Sequence, residues 1–453
     1  MATTITTTNP YNNAPLKTYA LNTNKEIALI LEQAQTTQHK WQATKIKVRT
    51  KLLKKLKHAL LNEKETLGSL VTQEMGKPIS QSIAEIEKCA WLCDFYRKNT
   101  EDFLADALIK TDAHESFISY DPLGVILGVM PWNYPFWQVF RFAVPTLMAG
   151  NTTLLKHASN VTGCALAIQQ LFETAGFPKG CLQTVLADHQ QVENLIEDHR
   201  VKAVSLTGSE LAGRKIAEIA GRNLKKCVLE LGGNNACIVL ADADLNTHLD
   251  TMVSARMQNT GQSCIAAKRF IVEAPIYEAF LEKFKHKVAE LKIGDPNDPD
   301  TQIGVMARID LAETLQKQVE ESVKLGATIA YGNTRKEAFY QPTILTNVSS
   351  EMPVFNEETF GPVAAIIKAE NAQEAYALNA ATRFGLGTMV FTENTHAALN
   401  NTDYIEDGAY FINDMVKSDP RLPFGGTKAS GYGRELSQEG IFAFVNKKTV
   451  YLK

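Results

Sequence analysis

Three residues in separate segments of the chain carry the groups that acyl-transfer chemistry needs. Cys264 is a thiol in a glycine-containing loop, Glu230 is a carboxylate at the end of an apolar strand pattern, and Asn133 is an amide that follows Pro131–Trp132. A thiolate can attack a carbonyl carbon, a carboxylate with a raised pKa can act as a general base, and an amide can donate to an oxyanion. Together they predict chemistry that passes through a thioester.

Each of these residues also has an ordinary structural interpretation. A free cysteine is usually buried filler, a carboxylate at a strand end can cap a turn, and an asparagine beside prolines is typical of a turn. Gln262 and Ser263 are poor core residues, so they favour a nucleophile over buried filler at Cys264. For Glu230 and Asn133 the residues alone leave both interpretations open.

The elements that must position these residues alternate along the chain. Apolar periodicity and capping residues predict helices over residues 23–41, 45–76 and 79–104, so the first hundred residues are mostly helical. Strand and helix patterns then alternate over residues 152–231, and a second alternating series follows residue 235. Such alternation is typical of parallel sheets that helices cover on both faces. We therefore predict an α/β fold of the doubly wound, nucleotide-binding type.

Composition and charge exclude several classes of partner. The 453 residues include 47 basic and 50 acidic side chains, a net charge of −3, which creates no field for nucleic acid or an anionic membrane. The longest apolar run, around residues 123–132, is too short to span a bilayer. The seven scattered cysteines include no Cys-x-x-Cys pair and no set of ligands at metal spacing, which favours free thiols in a reducing cytoplasm. We expect a cytoplasmic protein with a small-molecule ligand, no metal, no nucleic acid and no membrane partner.

The sequence signal for a dinucleotide is mixed. Gly208 and Ser209 follow a strand pattern and open a helix, as phosphate sites do, and Lys156 ends another strand. However, no Gly-x-Gly-x-x-Gly motif occurs in the chain. Because that motif is the usual fingerprint of dinucleotide sites, the residues alone give weak support for such a cofactor.

Five segments resemble the aldehyde dehydrogenase superfamily, in the family's order and across nearly the whole chain. They are Pro131–Asn133, Leu229–Gly233, Gly261–Cys264, Glu357–Pro362 and Pro423–Gly426. Within the superfamily the chain is most similar to the compact bacterial succinate-semialdehyde dehydrogenases. The resemblance implies an aldehyde dehydrogenase-like α/β fold, with a variant doubly wound cofactor domain that lacks the standard glycine fingerprint, an α/β catalytic domain and a β oligomerisation element.

The resemblance also implies roles for individual residues. Cys264 would be the nucleophile, Asn133 would hold the oxyanion, and Glu230 would activate the water that hydrolyses the acyl-enzyme. The positions that match the family's cofactor site are Trp132, Lys156, Ser159, Gly208, Ser209, Leu231, Glu358 and Phe360. Strict NAD users often have a glutamate where this chain has Ser159, so we predict NADP or NAD as the cofactor, with NADP favoured. His157 stands where many relatives have proline, which predicts a less rigid loop after Lys156.

Three further residues bear on the substrate. Arg141 lies in a largely apolar helix pattern, where it either pairs with a neighbouring acid or grips a substrate carboxylate with its two-pronged guanidinium. Trp137, one turn earlier on the same face, could wall the substrate chain, and Ser418 is a further candidate for the carboxylate. These residues favour succinate semialdehyde as the substrate. Another aldehyde, such as glutarate semialdehyde or an aliphatic aldehyde, is the alternative, and a non-catalytic binding protein on this fold is the alternative of a different class.

The resemblance divides the chain into three parts. Residues 1–114 and 132–233 would form the NAD(P)-binding domain, residues 234–424 the catalytic domain, and residues 115–131 with 425–453 the oligomerisation element. In the family this element pairs between subunits, which implies a homodimer or a homotetramer. A terminal strand with unpaired edges needs a partner, which agrees with that expectation.

Overall fold

The computed structural model describes residues 3–453, so the first two residues of the predicted NAD(P)-binding domain lie outside it. The helices are α1 (Asn24–Gln42), α2 (Ile46–Asn62), α3 (Lys64–Met75), α4 (Ile79–Phe103), α5 (Trp137–Met148), α6 (Thr162–Thr174), α7 (His189–Glu197), α8 (Glu210–Arg222), α9 (Leu245–Met257), α10 (Tyr277–Ala289), α11 (Ile309–Lys324), α12 (Pro353–Asn356), α13 (Ala372–Ala380), α14 (Thr395–Asn400) and α15 (Ser437–Phe442). The strands are β1 (Thr4–Thr8), β2 (Pro15–Ala20), β3 (Ala107–Leu108), β4 (Glu115–Pro122), β5 (Val125–Met130), β6 (Thr152–His157), β7 (Leu182–Thr184), β8 (Val201–Thr207), β9 (Lys226–Glu230), β10 (Ala236–Val239), β11 (Arg269–Glu273), β12 (Thr328–Tyr331), β13 (Arg335–Lys336), β14 (Phe339–Tyr340), β15 (Thr343–Thr346), β16 (Val363–Ala369), β17 (Phe384–Gly385), β18 (Thr388–Phe391), β19 (Tyr410–Ile412), β20 (Thr427–Lys428), β21 (Gly431–Tyr432) and β22 (Val445–Leu452).

The first sheet has six strands in the order β21-β9-β8-β5-β6-β7. All of its neighbouring strands are parallel except β21, which pairs antiparallel with β9. From β5 the chain builds outward through β6 and β7 on one side, and then returns to build β8 and β9 on the other. The order therefore reverses between β5 and β8, and doubly wound sheets bind their ligands at the carboxyl ends of the strands beside such a switch point.

Helix α5 lies in the interior between this sheet and the helices of the first hundred residues. All twelve of its residues are buried, from Trp137 to Met148, including the charged Arg141. A helix that is apolar around its whole circumference must be covered on every side, and α4 and α15 are among the elements that cover it. This burial explains why Arg141 has to find a partner inside the protein.

The second sheet has seven strands in the order β12-β15-β16-β11-β10-β18-β19. Its neighbouring strands are parallel except for the edge pair β12 and β15. Separate hydrophobic clusters line its two faces, because strands buried on both sides carry apolar residues at successive positions. The predicted α/β class and its two alternating series are confirmed.

The third sheet joins β4 to β22 and β3, and it corrects two predicted boundaries. Sequence analysis assigned residues 115–131 and 425–453 to one element, but β5 is a central strand of the six-stranded sheet and β21 is its edge. Five of the six residues of β5 are buried, so this strand needs cover on both faces, whereas β22 is mostly exposed. The small sheet therefore contains only residues 107–108, 115–122 and 445–452.

One local prediction was also wrong. The helix expected over residues 45–76 is divided at Glu63 into α2 and α3. The first hundred residues are mostly helical, as expected, but the antiparallel hairpin of β1 and β2 before α1 was not predicted. Its threonine-rich strands are largely exposed, so they lack the apolar alternation that identifies a strand in sequence. Over residues 3–453, no helix has the length and apolarity that crossing a membrane requires.

Candidate active site

A sharp turn after α9 delivers Cys264 to the site. Asn259, Thr260 and Gly261 have φ values of 55°, 53° and 71°, a left-handed run that costs energy at the two non-glycine positions. The Asn259 side chain secures the turn by donating to Asn133 O at 2.8 Å and to Gln262 O at 3.1 Å. A Cβ on Gly261 would lie 2.4 Å from a backbone oxygen, so the turn also requires glycine there. Most residues of the sequence motif around Cys264 therefore serve to fix the backbone conformation of the turn.

Asn133 is held close to this turn with part of its amide unused. Its Nδ2 donates to Gln262 O at 3.0 Å, and its Oδ1 accepts from Gln138 Nε2 at 3.0 Å. A side-chain amide carries two N–H groups, so one donor is left over in a residue that is 3% exposed. The structure thus brings Asn133 to the loop of Cys264 in an orientation fixed by both neighbours, which suits an oxyanion donor.

Lys268 contacts the loop of Cys264 directly, although sequence analysis did not single it out. Its buried Nζ donates to Ser263 O at 2.8 Å and to Cys264 O at 2.6 Å, and it lies 3.2 Å from Glu358 Oε1. The lysine therefore fixes the nucleophile loop and connects it to a predicted cofactor residue. A lysine at the start of the apolar strand β11 was the signal that could have identified it, because buried lysines need partners.

The Cys264 thiol is protonated at rest. Burial raises its pKa to about 11, while the positive charges of Lys268 and Arg141 pull in the opposite direction. The carboxylates of Glu358 and Glu230 add to the increase. A thiol with this pKa becomes nucleophilic only when the site stabilises the thiolate. Lys268 and Arg141 are the cations placed to do so.

Glu230 belongs to the same site and holds its proton strongly. Burial and then the charge of Glu435 raise its pKa well above the usual range, and Arg141 and Arg434 oppose the increase. Neither carboxyl oxygen has a hydrogen-bond partner among the described residues. A Cβ on Gly425 would lie 2.6 Å from Glu230 Oε1, which explains why a glycine stands there. A buried, unpartnered carboxyl group with a raised pKa is suited to general-base work.

Arg141 forms a buried ion pair with Glu435, the first of the two arrangements that its sequence context left open. Its guanidinium also lies 4.4 Å from the centre of the Phe424 ring and donates a longer hydrogen bond to Thr207 Oγ1 at 3.4 Å. Sequence analysis did not single out Glu435. The charge of Arg141 also acts on the second carboxyl group of this region, because it lowers the pKa of Glu230.

Trp137 and Ser418 are brought together, as their predicted shared role requires. Trp137 Nε1 donates to Ser418 Oγ at 2.9 Å, and Lys88 Nζ donates to the same oxygen at 3.0 Å. Lys88 also lies 4.3 Å above the Trp137 ring. Sequence analysis did not identify Lys88, because nothing in the helix pattern of α4 distinguishes it from the exposed lysines nearby.

The predicted cofactor residues follow the carboxyl edge of the six-stranded sheet. In the strand register, Val129 pairs with Lys156 on one side and with Leu206 on the other, and Thr207 pairs with Glu230. The carboxyl ends of β5, β6, β8 and β9 therefore lie side by side at the same edge of the sheet. Gly208 and Ser209 come directly after β8. Ser209 caps its own helix by accepting from Ala212 N at 3.3 Å.

Lys156 and Ser159 fit a nucleotide ribose that carries a phosphate. Lys156 is half-buried and has no hydrogen-bond or ion-pair partner within residues 3–453, and burial lowers its pKa. Ser159 is exposed and neutral at the start of the next turn. The amides at the start of α6 are already taken, since Glu74 accepts from Gly163 N and Cys164 N at 2.9 Å. Lys156 is therefore the cation available to a phosphate here.

Most of the remaining predicted cofactor residues connect the strand ends of this sheet with residues 357–362. Trp132 and Phe360 meet edge to face with ring centres 5.6 Å apart. Glu358 accepts from Gly233 N at 3.1 Å, and a Cβ on Gly232 would lie 2.2 Å from its other oxygen. The buried Leu231 side chain packs on Gly213 of α8, whose Cβ would lie 2.6 Å from it. The cofactor roles of these residues stay predictions.

His157 corrects the expectation of a less rigid loop. Its Nε2 lies 2.9 Å from Pro135 O, and its Nδ1 lies 2.9 Å from Ala158 N and 3.1 Å from Met130 O, so three backbone groups hold the ring in place. Burial lowers the pKa of His157 to about 4, so the ring is neutral at physiological pH. The side chain thus ties the end of β6 to the segment before α5, a connection that a proline could not make.

Comparison with known proteins agrees with this geometry. The sequence profile of the aldehyde dehydrogenase family matches residues 1–450. A Synechocystis protein named "Probable succinate-semialdehyde dehydrogenase [NADP(+)]" is 47% identical over 451 residues, 99% of each chain. A Mycobacterium bovis protein named "Succinate-semialdehyde dehydrogenase [NADP(+)] 1" is 44% identical over 454 residues, again 99% of each. The crystal structure of succinic semialdehyde dehydrogenase from Streptococcus pyogenes, solved with NADP⁺, has a TM-score of 0.97 at 35% identity and covers 99% of both chains.

Proposed function

The chain belongs to the aldehyde dehydrogenase family, and from that premise we propose that it oxidises succinate semialdehyde to succinate with NADP⁺. The observation that carries the chemistry is that Lys268 and Asn133 both bind the loop of the half-buried Cys264, whose thiol also feels the charges of Arg141 and Glu230. The names of the similar proteins support the aldehyde and the cofactor.

The first half of the reaction forms a covalent intermediate. Cys264 gives up its proton to a water molecule and its sulfur bonds to the aldehyde carbon, while Lys268 and Arg141 stabilise the thiolate. The free N–H of Asn133 donates to the oxyanion of the resulting thiohemiacetal. NADP⁺ supplies the hydride acceptor when it is bound. Loss of hydride leaves the substrate carbon as a thioester on Cys264.

The second half returns the enzyme to its resting state. Glu230, once ionised, takes a proton from a water molecule whose oxygen attacks the thioester carbon. The carbon–sulfur bond breaks, the thiol of Cys264 is restored, and the acid is released. Because Glu230 is present for this step, hydrolysis is favoured over transfer of the acyl group to coenzyme A.

Among the proposed cofactor residues, Lys156 and Ser159 are the ones placed to bind the phosphate of NADP⁺. Lys156 has no partner among the described residues, and Ser159 adds no negative charge beside it. Glu358 accepts a hydrogen bond from the loop after β9, and Phe360 packs against Trp132 after β5, so we propose these residues for the same site. We propose the same assignment for Gly208, Ser209 and Leu231 at the strand ends.

The proposed substrate residues are Trp137, Ser418 and Arg141. Trp137 and Ser418 are in direct contact, and Arg141 lies one turn after Trp137 on α5. The ion pair with Glu435 already engages Arg141, so any grip on a substrate carboxylate uses the rest of its guanidinium. If Arg141 has this role, Arg141→Ala raises KM for succinate semialdehyde much more than for butanal, an uncharged aldehyde of the same length.

The assembly and the location complete the proposal. The described edge strand β22 pairs on one side with β4, and most of its residues are exposed, so a second subunit could extend the sheet into a homodimer or a homotetramer. The seven free cysteines favour the cytoplasm. Sedimentation of the purified chain tests the assembly.

Steady-state kinetics with both cofactors tests the function. Succinate semialdehyde, glutarate semialdehyde and butanal are compared, with NADP⁺ and NAD⁺ in turn, and reduced cofactor is followed by absorbance. We expect the highest kcat/KM for succinate semialdehyde with NADP⁺, and loss of turnover in Cys264→Ala. A higher kcat/KM for butanal would overturn the proposed substrate, and a higher value with NAD⁺ would overturn the proposed cofactor.

A further inference from the structure

Lys88 is a cation without a counter-ion of its own. It is half-buried on the face of α4 that packs against α5, and no carboxylate among the described residues lies within 4.0 Å of its Nζ. A cation removed from water is costly unless an anion compensates for it. Its environment therefore differs from that of Lys98 on the same helix, which is exposed and pairs with Asp94.

The two carboxylates whose charges reach Lys88 are committed elsewhere. Glu85 forms a buried ion pair with Lys77 and accepts the backbone N–H groups of Phe136 and Trp137 at 2.8 and 2.9 Å. Asp419 is held by Arg421 through two hydrogen bonds. Neither group is free to move to Lys88 without leaving another cation unpaired.

Burial first, and then the charge of Arg141, lowers the pKa of Lys88 to about 8. Glu85, Asp419 and the thiol of Cys89 act against that decrease. Since Arg141 is already paired with Glu435, the positive charge left without a partner in this region is that of Lys88.

Ser418 presents a second unused donor at the same point. Its oxygen accepts from Trp137 Nε1 and from Lys88 Nζ, so both of its acceptor positions are filled. The hydroxyl hydrogen can then only donate, and no acceptor for it is present among the described residues. Lys88 has further N–H groups beyond the one directed at Ser418.

We propose that Lys88 and Ser418 together bind the carboxylate of the substrate, so that Lys88 selects anionic aldehydes. An ammonium group and a hydroxyl side by side match the two oxygens of a carboxylate, and the charge-assisted hydrogen bond is the stronger of the two. The Trp137 ring beneath Lys88 supplies an apolar wall for the carbons between the carboxylate and the aldehyde. Arg141 lies one turn after Trp137 on α5, and its charge acts on both Lys88 and Cys264, so the proposed anion site and the thiol share one electrostatic environment.

This inference rests on the proposed function, because it requires a substrate that carries a carboxylate. A purely structural role for Lys88, which would hold Trp137 in position, makes a different prediction. Displacement of the indole would weaken binding of charged and uncharged aldehydes alike. Loss of a charge partner weakens only the binding of the anion.

The test compares Lys88→Met and Lys88→Arg with the wild type on succinate semialdehyde and butanal. Methionine keeps the length of the apolar side chain and removes the charge. We expect Lys88→Met to raise KM for succinate semialdehyde by about tenfold or more, with kcat and the KM for butanal within about twofold of wild type. Lys88→Arg keeps the charge and recovers part of the loss. Lys98→Met, on the same helix but exposed, is the matched control and leaves both substrates unaffected.

Two outcomes would overturn the inference. An equal increase in both KM values would assign Lys88 a structural role, and an unchanged preference for succinate semialdehyde would remove it from recognition. If the wild type shows no preference for succinate semialdehyde over butanal, the proposed function fails instead. If Lys88→Met does not fold, the pH dependence of the wild type tests the inference instead. Because the pKa of Lys88 is about 8, KM for succinate semialdehyde is expected to rise above pH 8, with no matching rise in KM for butanal.

Discussion

The carboxylate of Glu435 forms a buried ion pair with the guanidinium of Arg141, and both side chains are almost completely removed from solvent. The same carboxylate raises the pKa of Glu230, while Arg141 lowers it. The pKa of Glu230, the proposed general base, therefore responds to a pair of opposite charges, not to burial alone. Burial also raises the pKa of Glu435, against the pull of Arg141, so two carboxyl groups share one cation.

Glu435→Gln is expected to lower the pKa of Glu230. The substitution removes the second-largest cause of the increase and leaves Arg141 free to act on Glu230, so both changes favour the ionised base. Hydrolysis of the acyl-enzyme should then reach its plateau at a lower pH. A pH profile of single-turnover acyl-enzyme hydrolysis measures the shift. Glu439→Gln, at an exposed carboxylate in α15, is the control and should keep the wild-type profile. A profile that stays in place, or moves to higher pH, would contradict the assignment.

Lys268→Met is expected to make Cys264 less reactive. Lys268 is the strongest influence that lowers the pKa of this thiol, and its loss also leaves Glu358 without its cation. Both effects raise the thiol pKa, so at neutral pH the rate of alkylation by iodoacetamide should fall by about tenfold, roughly what one pKa unit produces.

A matched control exists for the Lys268 experiment. Lys225 also donates to backbone carbonyls, among them that of Asp198 at 2.6 Å, but the charge of Lys225 is not among the influences on the thiol. Lys225→Met should therefore leave alkylation of Cys264 unchanged. An alkylation rate in Lys268→Met equal to the wild type would show that the lysine only fixes the loop.

The sequence predicted the layers of the fold better than the membership of individual strands. The alternation after residue 152 reflects βαβ units, whose local patterns are strong. β5 was assigned to the wrong sheet because a short apolar strand does not indicate its partners. Only β6 and β8, which pair with it on either side, establish that it is central.

The same limit applies to the site. Cys264, Glu230 and Asn133 lie in motifs that chemistry and resemblance both identify. Lys88 could not be found in this way, since its partner Ser418 is 330 residues away in the chain. Arg141 had two interpretations because its partner Glu435 was equally remote. Buried charges are explained by tertiary contacts, and a single sequence does not reveal those contacts.

Ser159→Glu is expected to turn the enzyme away from NADP⁺. A carboxylate beside Lys156 would repel the phosphate of this cofactor and also compete for the lysine. We expect kcat/KM with NADP⁺ to fall by about tenfold to a hundredfold, while kcat/KM with NAD⁺ is retained. Ser159→Ala, which adds no charge, should change the cofactor ratio far less. Equal losses with both cofactors would mean that Ser159 does not face the ribose phosphate.

His157→Gln is expected to remove part of the acid sensitivity of the fold. Burial lowers the pKa of His157 from 6.5 to about 4, so the unfolded chain takes up a proton in a pH range where the folded chain does not. The stability due to the neutral ring is fully present above pH 6.5 and is lost as the pH falls towards 4. The shift corresponds to about 3 kcal/mol in the free energy of unfolding.

Urea unfolding at a series of pH values measures this dependence. Between pH 6.5 and about 4, His157 should lower the free energy of unfolding of the wild type by about 1.4 kcal/mol per pH unit, in addition to what other groups contribute. His157→Gln should lack that contribution. His114→Gln, at an exposed histidine, should keep the wild-type slope. Glutamine does not titrate, but it can still donate to Pro135 O. A His157→Gln variant that is less stable at every pH but keeps the wild-type dependence on pH would have lost contacts of the ring and not a titrating group. That result would show that His157 is not the group whose protonation destabilises the folded chain.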